Sequence, residues 1–353
     1  MRILGIETSC DETAAAVVED GKRLLSNVVA SSMDIHAQYG GVVPEIAARS
    51  HIEAINSVIE QALTEAECTW DDLDSIAVTY GAGLGGSLLI GVLAARTLAI
   101  LHNKPLYACN HVEGHIYANF ITDTPLKGYA LPAQQPKFPM LALIVSGGHT
   151  QLVLFKNHFN YKLLGRTGDD AIGEAFDKVA KIIGLPYPGG PSISKKALHG
   201  NPNRYDFPKS KLQNKYDFSF SGIKTAVLRR AQAETGQSHD FPSHKLSGLL
   251  SEAQRADIAA SFQRVAIETV VDKTSLAYEE FGPKSVVIAG GVASSAELRR
   301  QLSEHLPCSI EYADPKLCTD NAAMIATLGC YKMKKGQSTA DPYSLDIKPN
   351  LSM

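Results

Sequence analysis

The chain has 353 residues, 44% of them hydrophobic and 20% charged, with a formal net charge of −3. That length exceeds one ordinary core and implies two domains, and the balance excludes general disorder. So small a net charge makes no overall case for binding nucleic acid or a membrane surface.

In chain order, MRILGIETSC has no secretory-leader layout, because a strand-like apolar run follows Arg2 at once. Residues 3–8 read as a short buried strand and residues 14–20 as its hairpin partner. Residues 44–66 carry apolar side chains at helical spacing, with Pro44 suited to the first turn. Residues 75–80 form a second buried strand, followed by a glycine-rich turn and a long helix. The longest apolar stretch, 88–101, contains Arg96 and is too short to span a bilayer, so a cytoplasmic protein with no membrane contact is expected. Residues 105–110 are another strand, again followed by helix-like sequence.

The proline-rich, polar stretch 121–139 reads as a boundary or connecting loop. After it, 140–155 repeats the opening scheme of strand, polar turn and strand, which points to a duplicated α/β architecture. Residues 231–255 look like an exposed polar insertion that is helical in part. Residues 285–302 read as strand, Gly-Gly turn and helix, and the tail 340–353, with Pro342 and Pro349, as irregular. The six cysteines form no C-x-x-C pair, so reduced and mostly buried thiols are expected.

Several motifs can carry chemistry. His111 and His115 stand at i and i+4, one turn apart on a helical face, where two imidazoles can converge on a transition metal. A zinc-peptidase motif needs its glutamate directly after the first histidine, and Glu113 is one position too late. The run 81–86, GAGLGG, fits G-x-G-x-x-G between strand and helix. No carboxylate follows at the distance a dinucleotide ribose requires, which leaves tight turning and close helix packing, or duty as a substrate loop. Ser146, Gly147, Gly148, His149 and Thr150 form either a plain hairpin turn or a phosphate-binding turn. The loop from Thr8 to Thr13, with Asp11 and Glu12, is either a solvated turn or a source of a base or metal ligand. Asp320 is either a helix N-cap or a third, carboxylate ligand. Segment 195–230 holds nine Lys/Arg against two acids, interleaved with Tyr205, Phe207, Tyr216, Phe218 and Phe220. It is either a solvated face or a track for an RNA backbone.

Taken together, GIETSCDETAAAVV, PEIAARSH, NHVEGHIYA, LIVSGGHTQL, DDAIGEAFDKVAK, YPGGP, DFSFSGIKTAV, IAGGV and CTDNAAMIA strongly resemble the bacterial TsaD family of tRNA N6-adenosine threonylcarbamoyltransferases, over roughly residues 1–335. The resemblance implies an α/β, duplicated actin-like ATPase fold with two related domains around a cleft. The corresponding boundaries are 1–125 plus 322–345 for one domain and 126–321 for the other. It implies transfer of threonylcarbamoyl from threonylcarbamoyl-AMP to N6 of adenosine 37 in tRNAs reading codons that begin with A. It further implies one divalent metal, Fe2+ before Zn2+, on His111, His115 and Asp320. Ile144, Val145, Ser146, Gly147 and Gly148 match the family's substrate-phosphate loop, Asp177 and Gly190 its nucleoside contacts, and Asp11 and Glu12 the loop facing the reaction centre. Where the family has a nucleotide-binding Asn after its late Gly-Gly turn, this chain has Ser295, a shorter group that still donates and accepts. The implied partners are tRNA, a TsaB-like paralogue for which helix 44–66 is the candidate docking surface, and a TsaE-like P-loop ATPase.

Overall fold

A computed structural model describes residues 1–310 and 312–353. The chain folds into two compact units, one of Met1–Pro136 with Glu311–Met353 and the other of Lys137–Ile310.

The first unit opens with β1 (Arg2–Glu7), β2 (Glu12–Glu19) and β3 (Arg23–Ser31), an antiparallel meander. Short α1 (Met33–Ala37) and long α2 (Pro44–Glu65) lead to β4 (Ser75–Gly81), α3 (Gly85–Leu101), β5 (Leu106–Asn110) and α4 (His111–Tyr117). β4 and β5 run parallel to β1, giving the order β3-β2-β1-β4-β5. The proline at the start of α2 needs no N–H there, so the helix begins where the sequence predicts.

The second unit repeats the scheme. β6 (Met140–Val145), β7 (Thr150–Asn157) and β8 (Asn160–Arg166) form a meander, and β9 (Ser285–Ala289) pairs parallel with β6, in the order β8-β7-β6-β9. Between them run α5 (Ile172–Ile183), α6 (Gly189–Ala197), α7 (Ser221–Glu234), α8 (Ser243–Leu246) and the 30-residue α9 (Glu252–Phe281). A reciprocal capping box of Ser251 and Gln254 starts α9, and Gly282 in the left-handed conformation stops it. After β9 comes α10 (Ala296–His305). The stretch 231–255 is less of an exposed loop than its polarity predicts, since Gln232, Leu246 and Leu250 are buried.

The chain then returns to the first unit with α11 (Pro315–Cys318) and α12 (Ala322–Lys334). α12 is small-residue rich and lies almost in contact with β1. A Cβ on Gly5 would sit 2.3 Å from the Ala322 carbonyl oxygen, so only glycine admits the helix. At Gly114 of α4 an added Cβ would meet Ile325 of α12 at 2.8 Å. These approaches fix the start of α12, and with it Asp320, beside α4. The tail 340–353 has no helix or strand of its own, as predicted. It is nonetheless anchored: the Arg96 guanidinium donates to the carbonyls of Pro342 and Tyr343, both at 2.6 Å, and Lys348 N–H donates to Tyr80 O at 2.7 Å.

Candidate metal centre and substrate loops

At the carboxyl ends of the parallel strands β1 and β5 the first unit gathers its polar groups. Asn110 caps α4 by accepting from the N–H groups of Val112 and Glu113, at 2.8 and 3.3 Å, and so sets the first turn that carries His111. His111, His115 and Asp320 each offer a ligand atom, all within 4.8 Å of one another. Oδ1 of Asp320 lies 3.5 Å from Nε2 of His111 and 3.1 Å from Nε2 of His115. The two rings meet edge to face, with centroids 4.7 Å apart. Among the described residues neither nitrogen of buried His115 makes a hydrogen bond, Nε2 meeting Asp320 only as a charge contact at 3.1 Å. Buried imidazole nitrogens without hydrogen-bond partners, beside a carboxylate, fit a bound cation. The cap of α12 is Asn321, which accepts from Met324 N–H at 3.1 Å, so Asp320 is not the N-cap.

Behind His111 stands a carboxylate that sequence reasoning missed. Glu7, fully buried at the end of β1, lies 3.2 Å from Nδ1 of His111. It also accepts from Ser9 N–H and from Thr79 Oγ1, each at 2.5 Å. With Nδ1 engaged by Glu7 and by the Ser9 hydroxyl at 3.0 Å, Nε2 is the nitrogen left to face the cation position. Burial pushes the Glu7 carboxyl up, but the charge and hydrogen bond of His111 outweigh it and the net shift is downward. Burial also acts against His111 charging, yet Asp320 and Glu7 overcome it and lift the imidazole to about 9. Glu113 is buried and pushed up to about 7, mainly by that burial.

The loop with Asp11 and Glu12 belongs to the same unit and is held by its backbone. His51 Nε2 lies 3.1 Å from Cys10 O, Ser32 Oγ donates to Asp11 O at 2.8 Å, and Leu84 N–H donates to Ser9 O at 2.8 Å. Burial, then the charges of Asp320 and Asp11, push the Glu12 carboxyl up to about 10. The Leu84 bond explains part of the glycine-rich run 81–86. Gly83 N–H donates to Pro349 O at 3.1 Å, so this turn is occupied by the protein's own backbone.

The remaining predicted residues lie in the second unit. Ile144 and Val145 are buried in β6, and Ser146, Gly147 and Gly148 turn out of its carboxyl end. The turn is closed by Ser146 N–H donating to His149 O at 2.8 Å and His149 N–H to Ser146 Oγ at 3.0 Å. Space is open on the Cα of Gly147 and Gly148, and also of Gly190. Gly173 N–H donates to Ser146 O at 3.1 Å, which brings the start of α5 to the turn. Gly290 lies so close that a Cβ there would meet Val145 O at 2.5 Å. Asp177 of α5 accepts from Gly189 N–H at 2.6 Å, which puts it beside Gly190 at the start of α6, and burial raises its carboxyl. Ser295 caps α10, accepting from Leu298 N–H at 3.4 Å, and its hydroxyl proton stays available.

The aromatics of 195–230 are not stacking platforms. Tyr205, Phe207, Tyr216, Phe218 and Phe220 are buried. Five of the nine cations there are ion-paired: Lys196 with Glu252, Lys209 with Glu268 and Asp272, Lys215 with Glu280, Lys224 with Asp170 and Arg230 with Glu234. The local excess of positive charge is therefore largely cancelled by acids from outside the segment.

Two mixed sheets, one a meander continued by two parallel strands and the other a meander continued by one, and a His-His-carboxylate centre at strand ends define an actin-like α/β protein with a candidate metal site. A solved structure of an activator of the 2-hydroxyisocaproyl-CoA dehydratase from Clostridium difficile superposes with a TM-score of 0.50 at 13% identity, covering 95% of this chain and 97% of that one, which shows the shared fold. Residues 23–327 match the profile of a protein family described as TsaD: tRNA N6-adenosine threonylcarbamoyltransferase. A curated relative of that name from Thermomicrobium roseum is 50% identical over 347 residues, covering 95% of this chain and 93% of the relative. Another, from Caldicellulosiruptor saccharolyticus, is 47% identical over 358 residues, covering 100% and 98%. The chain belongs to the TsaD family. It is an acyltransferase that forms N6-threonylcarbamoyladenosine at adenosine 37 of tRNA.

Proposed function

We propose that the donor is threonylcarbamoyl-AMP, that the acceptors are tRNAs reading codons that begin with A, and that the residues assembled above divide the work between them. The N6 lone pair of adenosine is delocalised into the purine, so transfer depends on positioning, a good leaving group and stabilised charge. N6 bonds to the carbamoyl carbon, the bond from that carbon to the AMP phosphate oxygen breaks, and the N6 proton passes to a base. The N–H groups of Gly147 and Gly148, in a turn with open space where a side chain would stand, donate to the AMP phosphate as charge grows on it. Asp177 and Gly190 hold the nucleoside, and the Ser295 hydroxyl makes the contact for which the family uses Asn. Asp11 or Glu12 accepts the proton. When bound on His111, His115 and Asp320, a divalent cation, Fe2+ before Zn2+, supplies polarisation of donor oxygens and neutralises charge on the phosphate.

A TsaB-like paralogue and a TsaE-like ATPase complete the system in this reading. Exposed Ile52 on α2 and Leu89, Leu93 and Ile100 on α3 support an apolar docking face there. A tRNA substrate supports a cytoplasmic location, and no helix among the described residues is long and apolar enough to cross a membrane. The observation that carries the proposal is the buried convergence of His111, His115 and Asp320. Replacing His111 with Ala should leave the fold intact and abolish both metal retention and transfer. Nucleoside mass spectrometry of tRNA incubated with donor and helper proteins reads the transfer, and full activity of the variant overturns the metal assignment.

A further inference from the structure

The net-basic segment that sequence alone offers for RNA is mostly neutralised, but where its Lys224 meets α5 a cluster of lysines outnumbers its carboxylates by one. A cavity of about 350 Å³ opens between α5, α7 and α8, and its wall includes Lys178, Lys181, Lys224, Thr225, Ser243 and His244. One half-buried carboxylate organises it. Asp170 takes Lys178 Nζ on Oδ1 and Lys224 Nζ on Oδ2, each at 2.7 Å, so a single negative charge holds two ammonium groups at the same wall. Glu174 also reaches Lys178, at 2.7 Å. Lys181 is exposed and has no ion pair among the described residues. Three lysines thus share two carboxylates, with hydroxyl donors and an imidazole beside them. His244 and Ser243 come from the polar stretch 231–255, to which the reaction itself assigns no role.

We propose that this cavity is a phosphate-binding site that receives a backbone phosphodiester of the tRNA, with Lys181 as its unpaired cation and the Asp170-clamped Lys178 and Lys224 as its fixed wall. The inference rests on the tRNA-modifying reading above. An ammonium group already held in place loses little freedom on binding, and a phosphate displaces counterions from the RNA as it docks. The site positions the substrate and is not part of the chemistry.

The test uses the full chain with its helper proteins and fluorescently labelled tRNA, in fluorescence anisotropy across a salt series, beside nucleoside mass spectrometry of t6A. Lys181→Glu should weaken tRNA binding roughly tenfold and Lys181→Ala by a smaller factor, with the salt slope reduced by about one. The KM for tRNA should rise, while the rate at saturating tRNA stays at the wild-type value. His244→Glu, on the neighbouring wall, should act in the same direction. Unchanged affinity and salt slope in Lys181→Glu and His244→Glu would overturn the proposal. So would intact tRNA affinity combined with lost binding of a helper protein, which would assign the cavity to an acidic protein surface. If the wild-type chain binds tRNA through this cavity but forms no t6A, the reading of the reaction fails and the cavity stands.

Discussion

Glu7 carries a role that its position in the sequence conceals. It ends an apolar strand and precedes a polar turn, the usual place for a solvated carboxylate, yet it is fully buried and joins Ser9, Thr79 and His111. Its charge fixes which nitrogen of His111 is engaged behind the centre, and outer carboxylates of this kind set the basicity of the ligand in front of them. Glu7→Gln keeps the shape but offers an amide that can accept at only one of its two positions. Metal content after purification, measured by inductively coupled plasma mass spectrometry, should fall and apparent metal affinity drop roughly 10–100-fold, with transfer falling in parallel. A variant that retains stoichiometric metal and full transfer would reduce Glu7 to a packing residue. The histidine pair was legible because spacing alone puts i and i+4 on one face. Asp320 was not fixed by spacing, since about 200 residues separate it from the pair; the residues left it open between a helix N-cap and a third ligand, and the family resemblance favoured the ligand.

Between elements, what places the centre is the close approach of α12 to β1 and α4. Small residues on α12 and glycines at 5 and 114 permit it; at Gly5 a side chain would meet α12 backbone, whereas at Gly114 it would press on the tip of the Ile325 side chain. Gly5→Ala puts a methyl 2.3 Å from a backbone carbonyl that cannot rotate away, so α12 must shift. Overpacking of this kind costs about 1–3 kcal/mol. The expected result is a lower melting temperature for the first unit together with weaker metal retention, because the start of α12 carries Asp320. A calorimetric scan with and without added metal reads both, and a variant with unchanged metal affinity would show that Asp320 is placed by its own loop. The sequence made the first hairpin and the α2 and β6–β7 elements plain through period and punctuation. It did not show β3, whose half-exposed residues break the alternation, or the single continuous helix 252–281, whose buried side chains are largely alanine, valine and threonine rather than a marked apolar stripe. Segment 195–230, with its interleaved aromatics, read as a solvated face or an RNA-backbone track because side-chain type was visible, while burial and ion pairing were not.

At the scale of the whole molecule, the candidate groups divide by unit. Glu7, Asp11, Glu12, His111, His115 and Asp320 all belong to the first, and the turn at 146–148 with Asp177, Gly190 and Ser295 to the second. A ligand stabilises the part it binds in proportion to the logarithm of its concentration over its Kd, so each ligand should leave its mark on its own unit. Metal should slow amide hydrogen exchange in β1, in the loop from residue 8 to 13, in α4 and at the start of α12. A non-transferable analogue of the adenylate donor should slow exchange at 146–148, at the starts of α5 and α6 and around Gly290. In His111→Ala the first pattern should vanish and the second persist, since the imidazole's hydrogen bonds run to Ser9 and Glu7 of the first unit. Exchange read by mass spectrometry at peptide resolution separates the two patterns. Loss of the donor footprint at 146–148 in His111→Ala would mean that the donor is held chiefly by the cation rather than by the glycine turn. The phosphate role of Gly147 and Gly148 would then fall, while the metal role of His111 would stand.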